Sequence, residues 1–312
     1  MLVVRSFNDV PAAARGAVMT IGNFDGVHRG HQAVIGTMRR LASALAAPCG
    51  AMLFEPHPRV YFEPQRPLFT LTPLPYRLEL LAALKLDFTA VIPFDAALAA
   101  MTAGDFIDSV LVDGFAIRQL VVGYDFNFGK GRTGDGSLLE AEGLRRGFGV
   151  TVQRPEHDGA TAYSSSRIRE ALKAGEVAEA ARQLGRWWRI QGIVISGAGR
   201  GAGLGYPTAN IALPPGTGLL HGIYATRVWV DGNAHRAVSY FGKRPSFDDG
   251  NAIFETFLME YDGNLYGKHI GVDLIAFIRG DRNFADAKAL STQMEYDVAE
   301  AIRHLNIDAL RP

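Results

Sequence analysis

Short, nearly unbroken apolar runs occupy 17–22, 50–55, 88–93, 118–123 and 148–153. Between them, over 31–46, 74–86, 104–113 and 136–147, apolar residues recur three and four apart. The runs predict strands buried on both faces, and the periodic segments predict helices. Their alternation predicts a parallel sheet covered by helices, whose ligands bind beyond the carboxyl ends of the strands. Loops 22–30, 55–64 and 123–135 each follow a predicted strand and are expected to share one crevice.

The pattern changes near residue 186. Segment 166–185 predicts two short helices split at Gly175. Beyond Trp187-Trp188, runs at 189–196, 222–230, 236–242, 253–261 and 269–278 are separated by Asp231-Gly232, Asp249-Gly250 and Asp262-Gly263. Short strands with regular turn signals predict an antiparallel barrel or sandwich. Helical spacing of Phe284, Leu290, Met294, Val298, Ile302 and Leu305 predicts one amphipathic helix over 284–305. The expectation is two domains, 1–185 and 186–312, and a chain of 312 residues suits that number.

Composition narrows the classes. Lys+Arg and Asp+Glu both total 32, so no general electrostatic pull toward nucleic acid or anionic membrane is expected. Hydrophobic residues make up 48 %, enough to fill two cores. Cys49 is the sole cysteine, which excludes a disulfide framework or a cysteine metal site within one chain. The N-terminus lacks a basic-then-apolar leader pattern, and no apolar run approaches ~18 residues. A soluble cytoplasmic protein is the expectation.

The first candidate chemistry lies in Gly22-Asn23-Phe24-Asp25-Gly26-Val27-His28-Arg29-Gly30-His31-Gln32. This Gly-bounded loop leads into a helix, and positions i and i+3 share a helix face, so His28 and His31 can reach one bound group. Helix N-termini favour anions, and two imidazoles beside one suit a phosphate that gains charge during reaction. Simple capping or packing of both rings is the plainer alternative. Residues 164–169, Ser-Ser-Ser-Arg-Ile-Arg, open another helix. Serines cap well there, but arginines oppose the macrodipole; either a polyphosphate shares them or solvent does. Phe54-Glu55-Pro56-His57-Pro58-Arg59-Val60-Tyr61-Phe62 and Gly123-Tyr124-Asp125-Phe126-Asn127-Phe128-Gly129 are aromatic loops suited to flat rings, or ordinary packed loops.

A second constellation spans 197–210, Gly-Ala-Gly-Arg-Gly-Ala-Gly-Leu-Gly-Tyr-Pro-Thr-Ala-Asn. Its glycines permit close backbone approach to phosphates, although the Walker ending is absent. Thr208 and Asn210 are two apart and share one face of an extended strand. A hydroxyl and an amide oxygen are hard ligands suited to Mg²⁺ held jointly with ATP. A flexible hairpin with satisfied polar residues is the alternative.

These motifs resemble the bifunctional riboflavin kinase/FMN adenylyltransferase family, or FAD synthetases, over nearly the whole chain. In the first half the resemblance rests on Gly-Asn-Phe-Asp-Gly-Val-His-Arg-Gly-His, Phe-Glu-Pro-His-Pro, Gly-Tyr-Asp-Phe-Asn-Phe-Gly and Ser-Ser-Ser-Arg-Ile-Arg. In the second it rests on Pro-Thr-Ala-Asn, Gly222-Ile223-Tyr224, Gly242-Lys243-Arg244-Pro245, Leu265-Tyr266-Gly267 and the Phe284 to Asp297 segment. The resemblance implies an α/β architecture: a Rossmann-like nucleotidyltransferase domain, then an antiparallel β-barrel kinase domain with a long C-terminal helix. Riboflavin and ATP would give FMN, and FMN with a second ATP would give FAD and pyrophosphate, with Mg²⁺ serving both steps.

The resemblance also implies site residues. His28 and His31 would hold the α-phosphate region. Gly22, Asn23, Asp125, Ser165, Ser166 and Arg169 would bind the rest of that ATP. Phe54, Pro56, His57, Phe62, Phe126 and Phe128 would form the flavin wall. In the kinase half, Gly201, Gly203, Gly205 and Thr208 would bind ATP, Thr208 and Asn210 the metal, and Glu255 would accept the proton of the ribityl hydroxyl. The family usually has Arg at Ala202, Asn at Tyr240, His at Phe257 and Asp at Glu260; Arg200 is the available substitute for the missing arginine. These departures leave a narrower alternative, adenylylation alone with a weak or inactive barrel. A flavin- or nucleotide-binding module without turnover, and a nucleotidyltransferase for a lipid or sugar precursor, complete the range of readings.

Overall fold

A computed structural model describes residues 1–159, 161–195, 206–214, 216–243 and 252–307. The chain forms two compact units: residues 1–68 with 72–164, and residues 69–71 with 165–312.

The first unit is built on a six-stranded, all-parallel sheet. Its strands are β1 (Leu2–Val4), β2 (Val18–Ile21), β3 (Cys49–Glu55), β4 (Phe88–Pro93), β5 (Gln119–Gly123) and β6 (Gly149–Gln153), in the order β1-β4-β3-β2-β5-β6. All five predicted runs are strands. Only β1 escapes the apolar pattern, because it is three residues long and pairs through one edge alone. The helices are α1 (Arg29–Ala44), α2 (Pro58–Phe62), α3 (Leu74–Ala83), α4 (Ala96–Ala100), α5 (Ala103–Asp105), which runs on as wider π-turns over Phe106–Gly114, and α6 (Gly136–Arg146). A two-stranded ribbon, β7 (His157–Asp158) and β8 (Thr161–Ala162), follows.

Both sheet faces are buried, which is why the strands read as continuous apolar runs. On one face Val18, Leu53, Val91 and Val121 pack with Ile35 and Met38 of α1 and Leu81 of α3. On the other, Met19, Met52, Ala90 and Leu120 pack with Ile107, Leu111 and Leu139. Parallel pairing brings the carboxyl ends of β2, β3 and β5 out at the same end of the sheet. The strand order reverses between β2 and β5, so a topological switch point opens there, where open α/β sheets bind ligands.

The second unit begins with α7 (Ser165–Lys173) and α8 (Val177–Leu184), separated at Gly175 by a left-handed turn with φ +77°. A closed antiparallel barrel follows: β9 (Arg189–Ile195), β10 (Ala209–Ile211), β11 (Gly222–Val230), β12 (Asn233–Lys243), β13 (Ala252–Leu258) and β14 (His269–Arg279), in the order β10-β13-β12-β11-β14-β9. The composition shift at 186 marks the start of the barrel strands, while the packing unit begins at Ser165. The reason is burial: Ile168, Leu172, Ala180 and Leu184 share one core with Phe69, Leu71, Trp188 and the barrel interior. Arg169 Nε donates to the Phe69 carbonyl at 2.6 Å, and the Trp188 indole donates to the Leu71 carbonyl at 2.8 Å, fixing the short segment to this unit.

On β13, Phe254, Thr256 and Leu258 point into the barrel, and Glu255 and Phe257 point outward. The last helix, α9 (Ala287–Ile307), covers part of that outer surface through Val298, Ala301, Ile302 and Leu305. It starts three residues later than its apolar spacing predicts, because the Asp286 carboxylate accepts from the Ala289 N–H at 2.7 Å and caps it. Phe284 therefore lies ahead of the helix, with the Arg279 guanidinium 5.7 Å from its ring centre.

Phe254 is fully buried in the barrel. Phe254→Ala is expected to cost about 3–5 kcal/mol of stability. Urea unfolding of the full chain checks this, with the transition of the barrel unit shifted and that of the sheet unit unchanged.

Candidate active sites

In the first unit the candidate site is the turn from β2 into α1. The Gly22 N–H donates to the Met52 carbonyl at 3.0 Å, prolonging the sheet ladder by one residue before the chain turns. His28 is the N-cap of α1, and its Nδ1 accepts from the His31 N–H at 3.3 Å. The two imidazoles stack with centres 3.6 Å apart and planes 21° from parallel, and Phe24 meets the His31 ring edge-on at 5.2 Å. The two rings thus lie together at a helix N-terminus, just beyond the carboxyl end of β2 beside the sheet's switch point. Capping and packing are both real for His28, and they set the direction of the pair.

Gly30 leaves room beside the His28 ring. A Cβ at this position would lie 3.1 and 3.2 Å from His28 ring atoms and 3.5 Å from the Tyr163 Cβ. Asn23 is half-buried, and its Oδ1 is a buried acceptor without a hydrogen-bond partner among the described residues. Behind the turn lie three buried polar residues that sequence reasoning does not mark as site residues: Asp25, Thr72 and Arg77.

The aromatic candidates form one chain of rings. Phe62 meets Phe94 at 5.7 Å, Phe94 meets Phe54 at 5.9 Å, and Phe54 meets Phe106 at 6.4 Å. Phe106 meets Phe128 at 5.5 Å, and Phe128 stacks on Phe126 at 5.6 Å. The structure therefore brings Phe54, Phe62, Phe126 and Phe128 into one connected wall through Phe94 and Phe106. Their exposures differ: Phe62 is 63 % exposed, whereas Phe128 is 8 % exposed and backs Phe126. Pro56 follows a cis peptide bond. His57 caps α2, its Nδ1 accepting from the Arg59 N–H at 3.0 Å. Asp125 is exposed just beyond β5, with its backbone carbonyl accepting from the Asn127 amide at 2.8 Å.

Ser165, Ser166 and Arg169 lie in the first turns of α7, within the second unit. The arginines of this segment have protein partners: Arg167 is 3.6 Å from Glu179, and Arg169 donates to the Phe69 carbonyl. The unfavourable placement of cations at this helix start is thus offset within the protein, and needs no anion to explain it.

In the second unit the candidates gather on the outer face of the barrel. Asn210 of β10 and Tyr240 of β12 stand directly opposite Glu255 of β13 in the strand register. Directly opposed residues on one sheet face have Cβ atoms about 4.5–5.5 Å apart, so the three form one row. A cavity of about 100 Å³ opens over Tyr240 and Glu255 of this row, lined also by Thr208 and Phe257 with Met294 and Asp297 of α9; Asn210 is not among its lining residues. A second cavity of about 200 Å³ is lined by Thr208, Tyr261, Asn264, Leu265 and Tyr266. Thr208 borders both. Gly201, Gly203 and Gly205, with Arg200 and Ala202, lie outside the described residues. Of the departures from the family pattern, Tyr240 and Phe257 line the smaller cavity, whereas Glu260 is exposed and 3.2 Å from Arg236.

Sequence reasoning missed the α9 contribution. Asp297 is 3 % exposed and accepts from Arg279 through both oxygens, at 2.8 and 2.6 Å, with Gln293 adding a 3.0 Å bond. A two-pronged pair of this kind fixes the helix over the cavity. Tyr206, also lining it, has its phenol raised above the usual value by burial and by the Glu295 carboxylate, so it stays a neutral donor.

Comparison with known proteins adds the family. The sequence model of FAD synthetase matches residues 10–167, and that of riboflavin kinase matches residues 184–305. The chain is 38 % identical to the bifunctional riboflavin kinase/FMN adenylyltransferase of Pseudomonas fluorescens, over 96 % of this chain and 97 % of that one. The protein of the same description from Escherichia coli K12 is 36 % identical, over 95 % and 96 %. That from Bacillus subtilis is 33 % identical, over 93 % of each. Among solved structures, one described as a macrolide-efflux protein from Streptococcus pneumoniae superposes with a TM-score of 0.87 at 26 % identity, covering 96 % of this chain and 98 % of that chain. Among the described residues, no helix is long and apolar enough to cross a membrane.

Asp297→Ala leaves Arg279, only 13 % exposed, without its carboxylate and is expected to cost about 3–5 kcal/mol. Adding Arg279→Met is expected to return part of that stability. Equilibrium unfolding of the two variants checks both statements.

Proposed function

The chain belongs to the bifunctional riboflavin kinase/FMN adenylyltransferase family, and we propose that it makes FAD in two ATP-dependent steps, one in each unit. It is a transferase of phosphorus-containing groups. The observation that carries the adenylyl step is the stacked His28–His31 pair at the α1 N-terminus, at the switch point of a parallel sheet.

In the second unit, the terminal ribityl hydroxyl of riboflavin attacks the γ-phosphorus of ATP. Its proton passes to the Glu255 carboxylate, the bond from γ-phosphorus to the bridging oxygen breaks, and ADP leaves. The position of Glu255 beside Asn210 in the strand register supports this role. Thr208 and Asn210 offer a neutral hydroxyl and amide oxygen. Such a donor set suits a divalent cation, Mg²⁺ by our assignment, whose charge the ATP phosphates already balance. The cation would neutralise charge on those phosphates. Gly201, Gly203 and Gly205 complete the proposed ATP site.

In the first unit, a phosphate oxygen of FMN attacks the α-phosphorus of a second ATP, and the bond to the β-phosphate oxygen breaks, releasing pyrophosphate. His28 and His31 donate to the α-phosphate oxygens as charge grows there, and no covalent enzyme intermediate forms. Gly22, Asn23 and Asp125 are assigned to the same nucleotide. Ser165, Ser166 and Arg169 are assigned to its polyphosphate tail. The FAD synthetase match running through Ser165 and Ser166 supports that assignment. Phe54, Pro56, His57, Phe62, Phe126 and Phe128 are assigned to the flavin, which the connected ring wall supports. We assign both steps to the cytoplasm because both consume ATP. Adenylylation alone is not favoured, since the riboflavin kinase match spans the barrel and α9.

A product time course from riboflavin and MgATP tests the reading. FMN is expected first and FAD after it; neither product would reject it, and FAD from supplied FMN alone would select the narrower one. His31→Ala is expected to lower FAD formation by about 100-fold or more while sparing FMN formation. Glu255→Gln is expected to do the reverse, by about 10²- to 10⁴-fold on FMN formation. Unchanged rates in either variant would remove the role assigned to that residue.

A further inference from the structure

The backbone that carries the histidines is bent into an uncommon path. Between β2 and α1 the chain takes φ +51° at Phe24, +87° at Gly26 and +43° at Val27. Left-handed backbone is unfavourable for a bulky aromatic and more so for a β-branched residue. It persists only where the surroundings over-determine it.

Those surroundings are Asp25, Thr72 and Arg77, which are 3 %, 0 % and 3 % exposed. Asp25 Oδ1 accepts from the Thr72 backbone N–H at 2.9 Å and from the Thr72 hydroxyl at 3.1 Å. The same hydroxyl oxygen accepts from the Gly26 N–H at 2.9 Å. Its proton therefore points to the carboxylate and its lone pair to the next peptide of the same turn. Arg77 of α3 donates Nη1 to the Asn23 carbonyl at 3.0 Å, and Nε and Nη2 to the Thr72 carbonyl at 3.2 and 2.9 Å. Its Nη2 lies 3.8 Å from Asp25 Oδ1. One guanidinium thus clips the entry of the turn to the residue that holds its middle.

A buried ion pair is a weak device for stability, because desolvation offsets its attraction. A rigid fork of donors spanning two carbonyls is a strong device for position. We propose that Asp25, Thr72 and Arg77 are positioning residues for adenylyl transfer, which hold the β2–α1 turn so that His28 and His31 stay stacked and aimed at one phosphate. This rests on the proposed role of those histidines in holding the α-phosphate.

The test uses the full chain with Thr72→Val, which keeps the shape and removes both hydroxyl bonds, and Thr72→Ser, which keeps them. Three readouts are taken: kcat and KM for FAD formation from FMN and ATP, FMN formation from riboflavin, and the imidazole ¹H–¹⁵N resonances of His28 and His31. Thr72→Val is expected to lower kcat for FAD formation by about 10- to 100-fold, with KM for ATP within about threefold. Its FMN formation stays at the wild-type rate, its imidazole resonances move, and Thr72→Ser restores both kcat and resonances. Wild-type kcat in folded Thr72→Val, or lost kcat with unmoved resonances, overturns the proposal. Should Thr72→Val fail to fold, Arg77→Lys is read in the same way, since an ammonium keeps the charge but cannot span both carbonyls. Absence of FAD formation by the wild-type enzyme sinks the histidine roles instead, and the resonances of Thr72→Val still report whether the turn is held.

Discussion

The constraint on which the adenylyltransferase half depends is the turn that takes the chain from β2 into α1. It has to leave a fully buried strand and deliver two imidazoles to a helix N-terminus within a few residues. Left-handed backbone at Phe24, Gly26 and Val27 makes the bend possible, and buried polar contacts hold it. The stacking of His28 on His31 follows from that path, because Gly30 leaves room for the ring where a Cβ would crowd it. Helix end, ring pair and sheet switch point then coincide, where open α/β sheets bind ligands and a helix N-terminus favours an anion.

The barrel half solves its problem by register. Strands alternating between a packed interior and a half-open exterior place Asn210, Glu255 and Tyr240 in one outward row. The interior beneath that row is tied by hydroxyls: Thr226 and Ser239 are 2.8 Å apart, as are Ser239 and Thr256, all fully buried. Above it, α9 is pinned through Arg279 and Asp297, so the cavity has a fixed floor and a fixed roof. The two units meet different chemical demands by different means. One sets two imidazoles at a helix N-terminus through a turn, and the other sets a carboxylate beside neutral oxygens on strands.

Much of this is legible in the sequence, for reasons that differ by element. Parallel strands buried on both faces leave long apolar runs, so β2 to β6 stand out, whereas the three residues of β1 leave no period to read. The histidine pair is legible because it is local: His28 and His31 share a helix turn. Arg77 is not, because its partner Asn23 is 54 residues away and nothing in either neighbourhood announces the other. His57 reads as part of a flavin wall, and its visible work is capping α2. The arginines of Ser-Ser-Ser-Arg-Ile-Arg look orphaned from spacing alone, yet Glu179 and the Phe69 carbonyl, neither of them in the same helix turn, take them up. The contribution of α9 to the smaller barrel cavity is hidden for the same reason, since packing and not periodicity sets which face meets the barrel.

The role proposed for the β2–α1 turn is to hold the α-phosphate of ATP. A crystal structure of the full chain with α,β-methylene-ATP and Mg²⁺ tests it most directly. An α-phosphate oxygen is expected within hydrogen-bond reach, about 2.7–3.2 Å, of an imidazole nitrogen of His28 and of His31. A nucleotide bound to the first unit with its phosphates away from both rings would contradict it.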